Sequence, residues 1–445
     1  MSGNRNKTAR VVHGNGGASH ANGGGLLHGR GVNTEEPNIM HIDLNSCFAT
    51  VEQQAHPHLR GRPLGITNRL SPRCCVIACS YEAKALGIRV GTALDQAKLL
   101  CPDFIMLQSD PPKYHHVYQK LVKIMKSYSP KVAMKSIDEG IIDFHDTREH
   151  VNTQSLEDIG REIKLRLKLE VGSWMKCNIG IAPNRFLAKL AAGLHKPDGM
   201  DRIDHRNLRA TLQSLKLTDL PGIAEHYEAR LNAAGIMTPT DFLDASSDTL
   251  RRLVFQSING EHWYNRLHGW EPDDYETKLG NVGRQFAMDK ASNDDAILLP
   301  RFHYLCQTTA MKLRYQGVDA RGIAVWLDFQ SGESFYQRKM FRTTFYTDQE
   351  VMRRALYLFN QRPKHMIVTR MGVTCYQLTP TARSQVSLLD DINKAEWLTT
   401  AIDDINEKYG NFTISYGTAH EGKNIVKQKV PFGSTQYFEL LFAGV

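Results

Sequence analysis

Met40-His41-Ile42-Asp43-Leu44-Asn45-Ser46-Cys47-Phe48-Ala49 opens on an apolar run that delivers one carboxylate, Asp43. Further on, Lys135-Ser136-Ile137-Asp138-Glu139-Gly140-Ile141-Ile142-Asp143-Phe144 delivers two adjacent carboxylates between two apolar runs. Acids at the ends of buried strands are costly unless they meet cations or partners. Three of them converging would suit Mg²⁺, which prefers carboxylate oxygens and substrate phosphates. Two such ions roughly 4 Å apart commonly run phosphoryl transfer on polynucleotides. Neighbours in an ideal strand point to opposite faces, so Asp138 and Glu139 share a site only where the backbone bends. Gly140 permits a bulge there. Taken alone, the pattern also fits surface acids in a turn.

At 445 residues the chain exceeds one compact core, and roughly two to four domains are expected. Hydrophobic content of 41% and charged content of 23% are ordinary for a globular protein. A net charge of +8 favours a phosphorylated polymer as partner. Lys113, Lys120, Lys123, Lys126, Lys131 and Lys135 crowd one side of the acidic hairpin, with a solvated face as the alternative reading. Eight cysteines form no paired framework, and Cys74-Cys75-x-x-x-Cys79 lacks a second pair at zinc-finger spacing. No apolar run approaches the ~20 residues of a membrane span, and no signal-peptide core is present. A cytoplasmic, reducing compartment is the expectation.

Residues 1–36 are rich in Gly, Asn and His and nearly free of large apolar residues, so a disordered tail is expected there. From Ile39 the pattern is mixed α/β. Strands are predicted at Ile39–Asp43, Cys74–Cys79, Val132–Lys135, Ile141–Phe144 and Lys176–Ile181, and helices at Ser46–Gln54, Tyr81–Leu86, Tyr114–Tyr128, Leu156–Leu169 and from Pro183 to His195. Residues 203–270 read as helical and 271–282 as a linker. Beyond it, strands at Gly322–Phe329 and Met366–Tyr376 alternate with helices at Arg301–Arg314 and Gln349–Asn360.

Five blocks carry a resemblance. They are I-D-L-N-S-C-F-A-T-V-E at 42–52, V-I-A-C-S-Y-E-A-K-A-L-G-I at 76–88, S-I-D-E at 136–139, I-G-I-A-P-N-R-F-L-A-K-L-A at 179–191 and K-P-D-G at 196–199. In this order and spacing the chain resembles the Y-family (DinB/UmuC) translesion DNA polymerases, nearest their bacterial DinB type, from about residue 38 to beyond 400. The resemblance implies an α/β (α+β) right hand. A palm would span 37–54 and 108–202, fingers 55–107 and a helix-hairpin-helix thumb 203–270. A little finger would follow at 283–380, then a C-terminal extension at 381–445. It implies a template-directed DNA polymerase acting in translesion synthesis and DNA repair, of low fidelity and without proofreading. The rival readings are a catalytically inactive scaffold of the same family and a two-metal nuclease or cyclase.

By the same resemblance, the metal ligands and catalytic acids are Asp43, Asp138 and Glu139, with the Leu44 carbonyl as a further ligand. The cofactor is a pair of Mg²⁺ ions, with Mn²⁺ as a substitute. Phe48 falls on the gate beneath the incoming sugar, and Tyr81, Lys84 and Lys196 on residues that hold the triphosphate. Cations there would neutralise charge on the transferred and leaving phosphates. Gly222 and Ile223 fall on the thumb hairpin that meets DNA phosphate. Arg284, Lys312, Arg314, Lys339, Arg342 and Arg370 are candidate phosphate contacts of the little finger.

Four positions depart from the common pattern: Asn45 for Asp, Lys84 for Arg, Ala78 for a hydroxyl residue and Gly140 for Ala. Lys84 cannot make the bidentate fork of Arg. The expected partners are primer–template DNA, deoxynucleotides and a sliding clamp, with no membrane and a monomeric chain. Ser384-Gln385-Val386-Ser387-Leu388-Leu389-Asp390 resembles the clamp-binding peptide of bacterial family members, with Val386 and Leu389 as departures; Gln385 would orient it while Leu388 and Leu389 fill an apolar pocket. The alternatives are that Leu388 and Leu389 pack on a helix around Trp397–Ile405, or that Phe438–Phe442 is the peptide.

Overall fold

The computed structural model describes residues 31–71, 74–147, 154–274, 279–381, 390–426 and 437. Twelve strands follow in chain order among them: β1 (Ile39–Leu44), β2 (Leu64–Thr67), β3 (Ala78–Cys79), β4 (Ile105–Gln108), β5 (Val132–Met134), β6 (Glu139–Asp143), β7 (Cys177–Ala182), β8 (Met200–Arg202), β9 (Asn281–Ser292), β10 (Val318–Phe329), β11 (Ser334–Phe345) and β12 (Val368–Pro380). They form three sheets, ordered β5-β6-β1-β7-β8, β3-β2-β4 and β11-β10-β12-β9.

β1 lies at the centre of the first sheet, antiparallel to both β6 and β7. A strand buried on both faces must be apolar almost throughout, as Ile39-Met40-His41-Ile42 nearly is. Met40, Ile42 and Leu44 pack in a core with Tyr114, Leu121 and Ile124 of helix Pro111–Lys126 and Ile159 and Ile163 of helix Leu156–Arg166. The opposite face, with Ile39 and Ile141, meets Phe186, Leu187 and Leu190 of helix Arg185–Leu194. Asn184 caps that helix, accepting from the Leu187 amide at 2.8 Å, as the Pro183-Asn184 signal predicts. The same apolar face continues into short helices between Leu208 and Leu267, around Leu231, Phe242 and Trp263.

Strands β9 to β12 build a fully antiparallel sheet. Helices Asp295–Tyr315 and Asp348–Phe359 are inserted between its strands in the order β-α-β-β-α-β. The first of these starts six residues before the predicted Arg301. Pro300 reads as a helix break, yet it sits inside the first turns, behind an Asp294 cap that accepts from the Ala296 amide at 2.9 Å. Strands β9 and β11 have no counterpart in the sequence-based assignment.

Several expectations are corrected. Residues 31–36, expected as tail, are anchored: the Asn33 side chain donates to the Gly269 carbonyl at 3.1 Å, and the Trp270 indole to the Gly31 carbonyl at 2.9 Å. The start of the expected linker is held too, since Glu271 accepts from the Arg185 amide at 2.9 Å. Glu139 lies in β6 and not in the turn before it. Gly140 makes no bulge; it stays in register with Ile42 and Met134. A Cβ there would meet the Met134 sulfur at 2.6 Å, so the glycine serves packing. The expected strand at Cys74–Cys79 shrinks to Ala78–Cys79. No helix among the described residues is long and apolar enough to cross a membrane.

Candidate active site

The three acids meet at one end of the central sheet. Asp43 and Glu139 are direct cross-strand partners of β1 and β6, so both side chains leave the same face. Asp138 precedes the strand, outside the ladder, and its carbonyl accepts from the Leu44 amide at 2.8 Å. The strand-alternation problem therefore dissolves without a bulge. The Ser136 hydroxyl bonds the Asp138 carboxylate and accepts from the Glu139 amide at 3.1 Å, which shapes the turn.

The electrostatics are those of crowded, half-shielded acids. Burial, and then the neighbouring charges of Asp43 and Glu139, push the Asp138 carboxyl up against the opposing pull of Ser136. Burial also acts to raise Glu139, but His41 and Lys189 outweigh it and hold that carboxyl at about 2. Lys189 Nζ lies 2.9 and 2.8 Å from the two Glu139 oxygens. His41 Nε2 approaches Glu139 at 3.3 Å without the alignment of a hydrogen bond. Lys196 Nζ lies 2.5 Å from Asp43.

Seven of the eight residues assigned above to metal or nucleotide border one cleft of about 230 Å³: Asp43, Leu44, Asp138, Phe48, Tyr81, Lys84 and Lys196. Glu139 is drawn aside towards Lys189. Among the described residues no three acidic, histidine or cysteine side chains already surround one point. The donor chemistry nonetheless suits a hard divalent cation, since two carboxylates and the strand-end residue Leu44 border one polar cleft and the Asp43 charge disfavours that of Asp138.

Across the cleft, Ser80 caps helix Tyr81–Ala85, accepting from the Ala83 amide at 3.3 Å. Lys84 Nζ donates to the Ser46 hydroxyl at 2.7 Å and lies 4.5 Å from the Tyr81 ring centre. Burial lowers its ammonium's pKa, as does nearby Lys196. Ser46 has left-handed backbone angles, φ 46° and ψ 44°, uncommon for a residue with a side chain. Phe48 stacks on Tyr114, ring centres 4.2 Å apart and planes 8° apart.

Sequence reasoning missed the polar frame behind these residues. Asn45, noted as a departure, is buried; its amide donates to Asn178 Oδ1 at 2.9 Å and its Oδ1 accepts from the Asp198 amide at 2.8 Å. Asn178 in turn donates to the His195 carbonyl at 3.0 Å. The two amides hold the loop that carries Lys196. Nothing in local sequence marks Asn178; of the groups beside Glu139, Lys189 carries only the signal of lying inside the block at 179–191, and His41 falls just before the block that begins at residue 42.

The sequence pattern of the impB/mucB/samB family matches residues 42–193, and that of its C-terminal domain matches 281–388. Together they cover more than half of the chain. The chain belongs to this family, the DinB-like Y-family polymerases. DNA polymerase IV 1 of Bacillus subtilis is 29% identical over 388 residues, covering 85% of this chain and 92% of that protein. DNA polymerase IV of Staphylococcus aureus is 27% identical, covering 80% and 99%. Among solved structures, a Y-family polymerase chimera of Dbh and Dpo4 aligns with a TM-score of 0.66 at 22% identity, covering 76% of this chain and 98% of that one. An insertion ternary complex of the Dbh polymerase aligns at 0.53. This likeness gives the Y-family right-hand fold to the three sheets and the helical segment described above.

The DNA candidates of this Y-family polymerase fare unevenly. Gly222 has φ +92° and packs beneath Trp263. Ile223 is buried, and its amide already donates to the Leu220 carbonyl at 3.0 Å, so it offers no free donor. Arg284 is half-buried, and burial lowers its pKa beside Tyr304. Arg314 is enclosed by Asp348 and Asp403, at 3.0 and 2.5 Å, and is no phosphate contact. Arg370 pairs with Asp328 at 2.6 Å. Lys339 and Arg342 remain on the exposed edge strand β11. Gln385, Leu388 and Leu389 lie outside the described residues.

Proposed function

We propose that the cleft at the end of β1 is where this translesion DNA polymerase adds deoxynucleotides to a primer end. The chain is a template-directed, divalent-metal-dependent DNA polymerase. The observation that carries the placement is the gathering of seven assigned residues, from four separate sequence blocks, round one cleft. Asp43, Asp138 and Glu139, with the Leu44 carbonyl, would hold the metal, most simply as two Mg²⁺ ions. When bound, such ions activate an attacking oxygen and stabilise a leaving one.

The chain's own residues do the rest. Lys196 and Lys84 present positive charge at the cleft, where a triphosphate would replace their present contacts with Asp43 and Ser46. Tyr81, on the helix opposite the acids, walls the same space. Phe48 closes the floor, where a ring backed by Tyr114 leaves no room for a 2′-hydroxyl. The supporting domains are proposed as a palm at 37–54 and 108–202, fingers at 55–107, a thumb at 203–270 and a little finger that begins at 283 and takes in the helix Asp390–Tyr409 packed on it. Arg342 and Lys339 on the exposed edge of β11 suit template phosphates. A monomer that borrows processivity from a sliding clamp, through Gln385, Leu388 and Leu389, completes the proposal.

Primer extension by the Asp138→Ala protein tests the site. Extension should fall by several orders of magnitude while DNA affinity, resting on distant cations, stays within a few-fold of the parent. Near-normal extension would place the chemistry elsewhere.

A further inference from the structure

The helix that presents Phe48, Cys47–Ala55, also carries Glu52 one turn further on. Only 4% of the Glu52 side chain is exposed. A carboxylate so enclosed survives only if both oxygens are satisfied, and here they are. Glu52 Oε1 accepts from the Tyr114 hydroxyl at 2.9 Å, and Oε2 from Lys113 Nζ at 2.8 Å. His56 lies 3.7 Å from Oε2, and Asp110 lies 3.4 Å from the same Lys113 ammonium. Burial, and then the Glu52 charge, push the Tyr114 phenol far up, so its hydroxyl stays protonated and can only donate to the carboxylate.

Tyr114 is fully buried, and its ring is the plate on which Phe48 lies. The plate's far end is thus fastened to the same helix that carries Phe48. Helix Cys47–Ala55 and helix Pro111–Lys126 are locked together at this point by one stack and two charge-assisted hydrogen bonds, from Tyr114 and from Lys113 to Glu52. Exclusion of a hydroxyl by an aromatic ring is steric and turns on a few tenths of an ångström. A ring with space behind it can retreat into another rotamer; one lying on a fixed plate cannot.

We propose that Tyr114 and Glu52 are positioning residues for sugar selection: they hold the Phe48 ring at the height that rejects ribonucleotides. The assignment deepens the reading of Phe48 as the sugar gate and rests on it. Lys113 completes the device by fixing the other carboxylate oxygen of Glu52 at 2.8 Å, although it is not among the residues that border the cleft.

The test is the ratio of ribonucleotide to deoxynucleotide incorporation (kcat/KM for each) in five variants of the full chain. Phe48→Ala should raise the ratio most. Tyr114→Leu, which removes the plate, should raise it roughly tenfold. Tyr114→Phe and Glu52→Ala, which remove only the fastening, should raise it less but measurably. Glu52→Gln keeps a carbonyl acceptor for the Tyr114 hydroxyl and should bring the ratio back towards the parent. If Glu52→Ala does not fold, Tyr114→Phe carries the comparison alone. An unchanged ratio in Phe48→Ala would overturn the gate itself. A raised ratio there with parental ratios in Tyr114→Leu and Tyr114→Phe would overturn this proposal and leave the gate standing. Slower deoxynucleotide addition at constant ratio in the Tyr114 variants would mark the contact as merely structural, and also overturn it.

Discussion

Lys312 shows how burial changes a residue that composition alone would assign to DNA. It donates to the Gly283 carbonyl at 3.2 Å and lies over the Tyr437 ring, 4.6 Å from its centre. Burial, and then the neighbouring Arg284 charge, lower its pKa to about 8. A folded-state value below the ordinary 10.5 means the unfolded chain binds more protons between those two limits. Stability contributed by this group therefore rises with pH from about 8 to about 10.5. Lys312→Met keeps the apolar stem and removes the titration. The variant should be the more stable protein below pH 8, and its advantage should shrink as pH climbs through that window. Melting temperatures of both proteins at pH 7 and pH 10 check this; a constant difference would mean Lys312 is not desolvated. Charge and residue type were legible here, whereas the direction of the side chain was not. The same limit applied to Arg314 and Arg284, which look like phosphate contacts in sequence and point inward in the fold.

At the scale of elements, the deciding contact at the site is one that sequence shows only as a small residue. Gly180 in β7 faces helix Arg185–Leu194, and a Cβ there would lie 2.0 Å from the Ala188 carbonyl and 2.3 Å from the Ala192 amide. Backbone cannot yield as a flexible side chain can, so Gly180→Ala should cost about 3 kcal/mol or more through overpacking. The displaced helix would also move Lys189 from Glu139, its partner at 2.8 Å. A lower denaturation midpoint together with weaker primer extension is expected, and a parental midpoint would show that the helix shifts freely. Elements with strong apolar periodicity, such as β1, β7 and helix Pro111–Lys126, were read within a few residues. β11 was missed because it is an edge strand, whose outward Tyr336, Arg338, Lys339 and Met340 hide any alternation. Gly140 was assigned the wrong task because a glycine needed for close packing and one needed for a bulge look alike in sequence.

For the whole molecule, the boundary of the last domain is the feature most changed by three-dimensional contact. The C-terminal extension was expected to begin at 381, beyond a complete little finger. Instead helix Asp390–Tyr409 brings Asp403 to Arg314, at 2.5 and 2.8 Å, while Asp348 holds the same guanidinium from the other side at 3.0 Å. Phe412 is buried against Tyr304, ring centres 5.0 Å apart, and Gly422 of helix His420–Ile425 presses on the Pro300 carbonyl. Such contacts join residues a hundred positions apart, and no local pattern announces them. A short peptide on a flexible extension and a helix that completes a core differ only in what they touch. Arg314 is therefore a bolt between the sheet's helix and the C-terminal helix. Arg314→Met would fit the space but leave the buried Asp348 without its cation, at a cost of about 3–5 kcal/mol for a broken buried pair. Asp403→Asn leaves the half-exposed partner able to accept a hydrogen bond and should cost about 1 kcal/mol or less. Thermal unfolding followed by tyrosine and tryptophan fluorescence would separate the two, with a large early shift for Arg314→Met and a small one for Asp403→Asn. Equal and small shifts would mean that the C-terminal helix docks without the ion pair, through Phe412 and its apolar neighbours alone.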